Sequence, residues 1–71
     1  MAIKNERKLL AVKGNVMVGK PAIILVEQAD KKSPQWVRTS NVTKWFRQFD
    51  GTLKIETKNT IYIGYNVQLI Y

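Results

Sequence analysis

The sequence predicts a small all-β fold, an SH3-like barrel of five or six short strands, with an OB-like barrel as the alternative. The chain has only 71 residues, and β-branched and aromatic residues recur from Leu9 onward. Turn residues interrupt them at short intervals, which is the rhythm of a small β domain. A sheet this small cannot protect its edge strands unless it closes on itself. We expect one domain over residues 1–71.

The first half of the chain contains one strongly hydrophobic segment between polar ends. We expect residues 1–8, which are polar and charged, to be frayed. Pro21 stands just before the hydrophobic segment, and proline is tolerated at the start of a strand. Residues 30–34 are charged and end in a proline, which predicts a loop. The strands predicted in this half are residues 8–12, 22–28 and 36–39, with a short extended piece at 16–18.

The segment from residue 42 to residue 49 is compatible with two structures. Its large apolar residues have helical spacing, and Ser40 stands where a helix cap would be. The segment is nevertheless short, and it runs into Asp50-Gly51, a strong hairpin signal. We favour a strand over a helix. The apolar residues with helical spacing are Val42, Trp45, Phe46 and Phe49.

The length of the hairpin loop decides which side chains face the core. A two-residue turn at Asp50-Gly51 pairs Phe46 with Ile55 inside and turns Trp45 outward, whereas a three-residue loop reverses Trp45 and Phe46. We adopt the two-residue turn. The predicted inner face then consists of Val42, Phe46, Leu53, Ile55, Ile61 and Ile63. The predicted outer face consists of Trp45, Arg47, Lys54, Glu56 and Tyr62.

For the second hairpin, between residues 53–57 and 61–65, the longer loop is the better prediction. A three-residue loop at 58–60 pairs Ile55 with Ile63 and gives a clean apolar face, whereas a two-residue turn mixes apolar and charged residues on each face. We therefore predict the three-residue loop. Gly64 marks a bend, and residues 66–71 form the last strand.

Composition argues against several classes of function. The chain has no Cys, no His and only five Asp and Glu. Zinc and iron sites draw on Cys and His, and so does most base or nucleophile chemistry. We therefore expect no metal, no cofactor and no enzymatic activity. The longest apolar run, residues 22–26, is too short to span a membrane, and the lack of Cys fits a cytoplasmic location.

Charge and aromatic residues together predict a nucleic-acid partner. Twelve Lys and Arg against five acids give a net charge of +7, which attracts polyanions. On the predicted outer face, Trp45 and Tyr62 would stack on unpaired bases, while Arg47 and Lys54 would contact phosphates. We expect single strands to be preferred. Cations that would widen the site are Arg38, Lys44 and Lys58. Trp36 beside Arg38 is a second combination of an aromatic residue and a cation, but Trp36 opens an apolar strand and we expect it in the core.

Two other functions use the same residues differently. Exposed Trp, Tyr and Arg are also the favoured anchors of protein interfaces, so a host protein is the alternative partner. A homodimer or larger structural oligomer, built through residues 67–71, is the third possibility. It would add stability to so small a core.

A resemblance bears on the origin of the chain. Two segments resemble short uncharacterised proteins of Gram-positive bacteria, their phages and their plasmids. This resemblance implies an accessory protein of a mobile element and no particular activity. The segments are Thr39-Ser40-Asn41-Val42 and Glu56-Thr57-Lys58-Asn59-Thr60-Ile61-Tyr62.

Overall fold

The computed structural model describes residues 5–27 and 33–70, and all regular structure in these ranges is β-strand. The all-β prediction is confirmed, and a strand rather than a helix occupies the ambiguous segment after Ser40. The strands are β1 (Asn5–Lys13), β2 (Ile23–Glu27), β3 (Gln35–Arg38), β4 (Lys44–Arg47), β5 (Leu53–Glu56), β6 (Thr60–Gly64) and β7 (Gln68–Ile70).

The described strands form one sheet in the order β3-β2-β1-β6-β5-β4, and β7 pairs with β1 beyond the end of β6. The sheet does not close, because its end strands β3 and β4 do not pair with each other. The SH3-like barrel therefore stays a prediction, as does the OB-like alternative. Within the described ranges, no helix is long and apolar enough to cross a membrane.

Strand β1 lies at the centre of the sheet and pairs along its whole length. It is antiparallel to β2, parallel to β6 in its first half and parallel to β7 in its second half. Residues 5–8 pair with Thr60–Ile63, so the frayed segment expected at 1–8 is wrong for these residues. Residues 1–4 lie outside the described ranges, as does most of the predicted 30–34 loop.

Gly64 is required where β6 passes β1. A Cβ atom at this position would lie 2.0 Å from the backbone oxygen of Leu9 and 2.6 Å from Cγ2 of Val67. No side chain fits so close to a neighbouring backbone. The predicted bend follows at once, because Asn66 has a φ of 54°.

The core lies on one side of the sheet, which we call the core side. Thr39, next to it, is buried: its hydroxyl accepts a hydrogen bond from the Ala22 amide at 2.9 Å and donates one to the Ser40 carbonyl at 2.7 Å. Strands β1, β2 and β5 each supply two of the core residues. The core residues are Leu9, Val12, Ala22, Ile24, Val26, Val42, Leu53 and Ile55.

The β4–β5 hairpin has a three-residue loop, so the predicted two-residue turn is wrong. The Gln48 amide donates to the Thr52 carbonyl at 2.8 Å, and the Gly51 amide donates to the Gln48 carbonyl at 3.1 Å. Gly51 has a φ of 90°, whereas Asp50 is not among the residues with positive φ that a type I′ turn needs. Trp45 therefore pairs with Ile55, and Phe46 pairs with Lys54.

The β5–β6 hairpin is also one residue away from its predicted register. Its loop is the two-residue turn at 58–59, closed by a hydrogen bond from the Thr57 amide to the Thr60 carbonyl at 2.9 Å. Ile55 pairs with Tyr62 rather than with Ile63. Ile61 and Ile63 consequently lie on the side away from the core, where both remain partly buried.

Candidate functional site

The predicted nucleic-acid face is divided between the two sides of the sheet. Trp45 and Tyr62 both pair with Ile55 on the core side, and Arg47 pairs with the buried Leu53 on that side. Side chains directly opposite one another on neighbouring strands share a face. The prediction that Trp45, Arg47, Lys54 and Tyr62 share one face is therefore wrong.

Lys54 and Lys44 point to the side away from the core, which we call the outer side. The Lys54 ammonium lies 5.5 Å from the ring centroid of Phe46, a cation–π distance. The Lys44 ammonium lies 3.5 Å from a carboxylate oxygen of Glu56. Both predicted cations are thus already engaged by neighbours on the sheet, which weakens their case as the main phosphate contacts.

A second group of residues on the outer side combines aromatic, apolar and cationic side chains. Ile23 pairs with Lys13 on one neighbouring strand and with Arg38 on the other, and Leu25 pairs with Trp36. These residues alternate with Ile24 and Val37 of the core side. We call the five residues Lys13, Ile23, Leu25, Trp36 and Arg38 the basic aromatic face.

Trp36 is exposed on this face, so its expected place in the core is wrong. Its exposed fraction is 47%, and that of Ile23 beside it is 46%. Trp36 and Arg38 are separated by about 7 Å along β3, and Lys13 lies about 10 Å from Arg38 across two strand spacings. Both cations therefore lie in the cross-strand row next to that of the indole, within the span of a few nucleotides.

Positive charge predominates near the basic aromatic face along the described strands. Neither Lys13 nor Arg38 has an ion pair within the described residues. The nearest carboxylate on β2, that of Glu27, lies 3.6 Å from the Lys8 ammonium. Because a neighbouring lysine partly neutralises Glu27, an incoming anion meets mainly the charges of Lys13 and Arg38.

The core side carries a cavity of about 520 Å³ between the end of β1 and the β4–β5 hairpin. Of the described residues that line it, only Arg47 is charged, and Asn15 contributes an amide. Trp45 stands in its wall and is 44% exposed. The apolar walls come from Val12, Val16, Trp45, Leu53, Val67 and Leu69.

The tip of the β4–β5 hairpin has a defined local structure. The Thr52 amide donates a hydrogen bond of 2.9 Å to Oδ1 of Asp50. This hydrogen bond is the main cause that holds the pKa of the Asp50 carboxyl below its usual value of 3.8. Phe49 at the tip is fully exposed. The loop is thus fixed by polar contacts while it presents an aromatic ring to solvent.

Part of the basic aromatic face could be predicted from the sequence. Trp36 and Arg38 are two residues apart in a strand, and this spacing alone places them on one face. Lys13 has no comparable local signal, because it joins them only through the long-range pairing of β1, β2 and β3. Arg38 is the one residue of this face that the sequence predicted for the site.

Comparisons of the chain with protein-family models, with curated proteins and with solved structures gave no match. The resemblance to short proteins of bacteria, phages and plasmids therefore stays a prediction.

Proposed function

We propose that this protein binds single-stranded nucleic acid through the basic aromatic face, as a small non-enzymatic module. The observation that carries the proposal is a half-exposed Trp36 on the same sheet face as Arg38 and Lys13, two cations without ion-pair partners within the described residues. An indole stacks on an unpaired base of any sequence, and cations beside it contact the phosphates.

The shape of this face favours an unpaired strand over a duplex. Trp36 lies on an exposed sheet surface, and the described residues contain no helix that could enter a major groove. Ile23 and Leu25 form an apolar floor next to the indole, on which a second base or a sugar could rest. The net charge of +7 adds a sequence-independent attraction for any polyanion.

The test compares the two tryptophans of the chain, since one lies on each side of the sheet. Trp36→Ala is expected to weaken binding of a fluorescent single strand by about fivefold or more, because stacking contributes about 1–3 kcal/mol per base. Trp45→Ala removes an indole of similar exposure from the cavity instead. Fluorescence anisotropy measures both, and circular dichroism verifies that each variant is folded.

The arginines form a second matched pair. Arg38→Gln is expected to lower the slope of log K against log salt by about 0.7, the contribution of one phosphate contact to a single strand. Arg47→Gln is expected to leave the slope nearly unchanged. If Trp45→Ala and Arg47→Gln weaken binding while Trp36→Ala and Arg38→Gln do not, the basic aromatic face is the wrong site. If none of the four matters, the charge acts only as a diffuse field.

A protein partner is the second candidate, and the exposed aromatics near the hairpin tip favour it. Phe49 is fully exposed, and Tyr65, near Gly51, is 66% exposed. Large aromatic side chains left to solvent are typical anchors of protein interfaces. Binding through them would depend on Phe49 and would change little with salt, which separates this candidate from the first.

A further inference from the structure

The cavity on the core side has the size and lining of a small-molecule site. Its volume of about 520 Å³ falls within the range of about 300–1,000 Å³ typical of ligand sites. Trp45 and Leu69 of its lining are 44% and 40% exposed, so their apolar surface lies in contact with water. Covering such surface is a favourable term for any ligand with an apolar body.

The charges of the cavity select the sign of the ligand. Arg47 is the single charged residue of the lining, and no ion pair engages its guanidinium within the described residues. A guanidinium presents a planar fork of donors that matches a carboxylate. A ligand that satisfies both features has an apolar tail and one carboxylate head.

We propose that the cavity binds a small amphipathic carboxylate. The alkyl tail lies among Val12, Leu53 and Leu69 against the face of Trp45, and the carboxylate accepts hydrogen bonds from the Arg47 guanidinium. This site is on the opposite side of the sheet from the basic aromatic face. Its test is therefore independent of nucleic-acid binding.

The chain offers a direct spectroscopic reporter for this test. It contains two tryptophans, so Trp36→Phe leaves Trp45 in the cavity as the single indole. Titration of this variant with decanoate is expected to change the Trp45 emission and to saturate. Hexanoate should bind more weakly, because each buried methylene contributes about fourfold in affinity. Decanol supplies the same tail without the carboxylate and should bind at least about tenfold more weakly than decanoate.

Two arginine variants in the same background test the carboxylate contact. Arg47→Gln is expected to weaken decanoate binding by about tenfold or more, as expected for loss of a charged hydrogen bond. Arg7→Gln removes the same charge from an exposed site on the core side that does not line the cavity, and should leave binding unchanged. The proposal is overturned if the emission does not saturate, if decanol binds as well as decanoate, or if the two arginine variants behave alike.

Discussion

The Gly64→Ala substitution is the most direct test of the close approach of β6 to β1, because the structure shows which atoms the added methyl group would meet. The new Cβ would lie 2.0 Å from the Leu9 carbonyl oxygen and 2.8 Å from its carbon. These are backbone atoms, which cannot rotate away as a side chain can. Relief requires β6 to move away from β1, although four residue pairs hold these strands together.

The cost of this movement can be estimated. Overpacking of a filled site costs about 1–3 kcal/mol, and each ladder hydrogen bond that is weakened adds about 1 kcal/mol. The expected loss is about 3 kcal/mol or more. A chain of this length has a total stability of about 4–11 kcal/mol, so the variant loses a large share of it.

Gly14→Ala is the matched control for Gly64→Ala. Gly14 has a φ of 77°, and a Cβ there meets no atom within 4 Å. Its substitution therefore adds only the strain of a left-handed backbone, about 1–2 kcal/mol. Urea unfolding followed by tryptophan fluorescence compares the two variants. If Gly64→Ala is no less stable than Gly14→Ala, the close approach of β6 to Leu9 is wrong.

Two further predictions concern polar contacts. Thr39→Val keeps the shape of the side chain but leaves the Ala22 amide without its buried acceptor. Urea unfolding should therefore show that the free energy of unfolding falls by about 1–3 kcal/mol, a loss that Thr39→Ser largely avoids. Equal losses in the two variants would rule out a role for the hydroxyl. The Asp50 carboxyl should titrate below 3.8 by NMR, because the Thr52 amide favours its charged form. Its contribution to stability is then present above 3.8 and lost as the pH falls through the lowered pKa, and a pKa at or above 3.8 would contradict the hairpin hydrogen bond.

The strand content and much of the core could be predicted from the sequence. The hydrophobic segment around Ile24 and the buried Leu53 and Ile55 follow from local pattern, because burial in a strand requires apolar residues in alternation. Gly64 was also placed at a bend. The requirement for glycine at position 64 could not be predicted, because it depends on the close approach to Leu9, more than fifty residues away in the sequence.

The two hairpin registers could not be predicted, because the same loop residues fit two loop lengths. Asp50-Gly51 suits a two-residue turn only if Asp50 takes a positive φ, and it suits a three-residue loop if Gly51 alone does. The structure has the second arrangement. The three-residue loop predicted for the β5–β6 hairpin depends on the premise that one face of this hairpin is purely apolar. Ile61 and Ile63 instead lie opposite charged residues on the outer side.

The one-residue shifts in the two hairpin registers change which side of the sheet carries the predicted site residues. Because side chains alternate across a strand, a shift of one residue exchanges the two faces, and it transferred Trp45 from the outer side to the cavity wall. The aromatic-cation idea itself does not depend on that register. Trp36 and Arg38 lie on a strand whose alternation is unaffected, and they offer the same chemistry on the outer side.

The most direct test of the proposed function is a two-dimensional NMR titration of the labelled protein with a short single strand. We expect shift changes at the amides of Gln35–Arg38, Ile23 and Lys13, and little change at Lys44–Arg47. Changes confined to Lys44–Arg47 would place the nucleic acid at β4 instead of at β3, and uniform small changes would mean that the positive charge alone attracts it. Either result would contradict binding through the basic aromatic face.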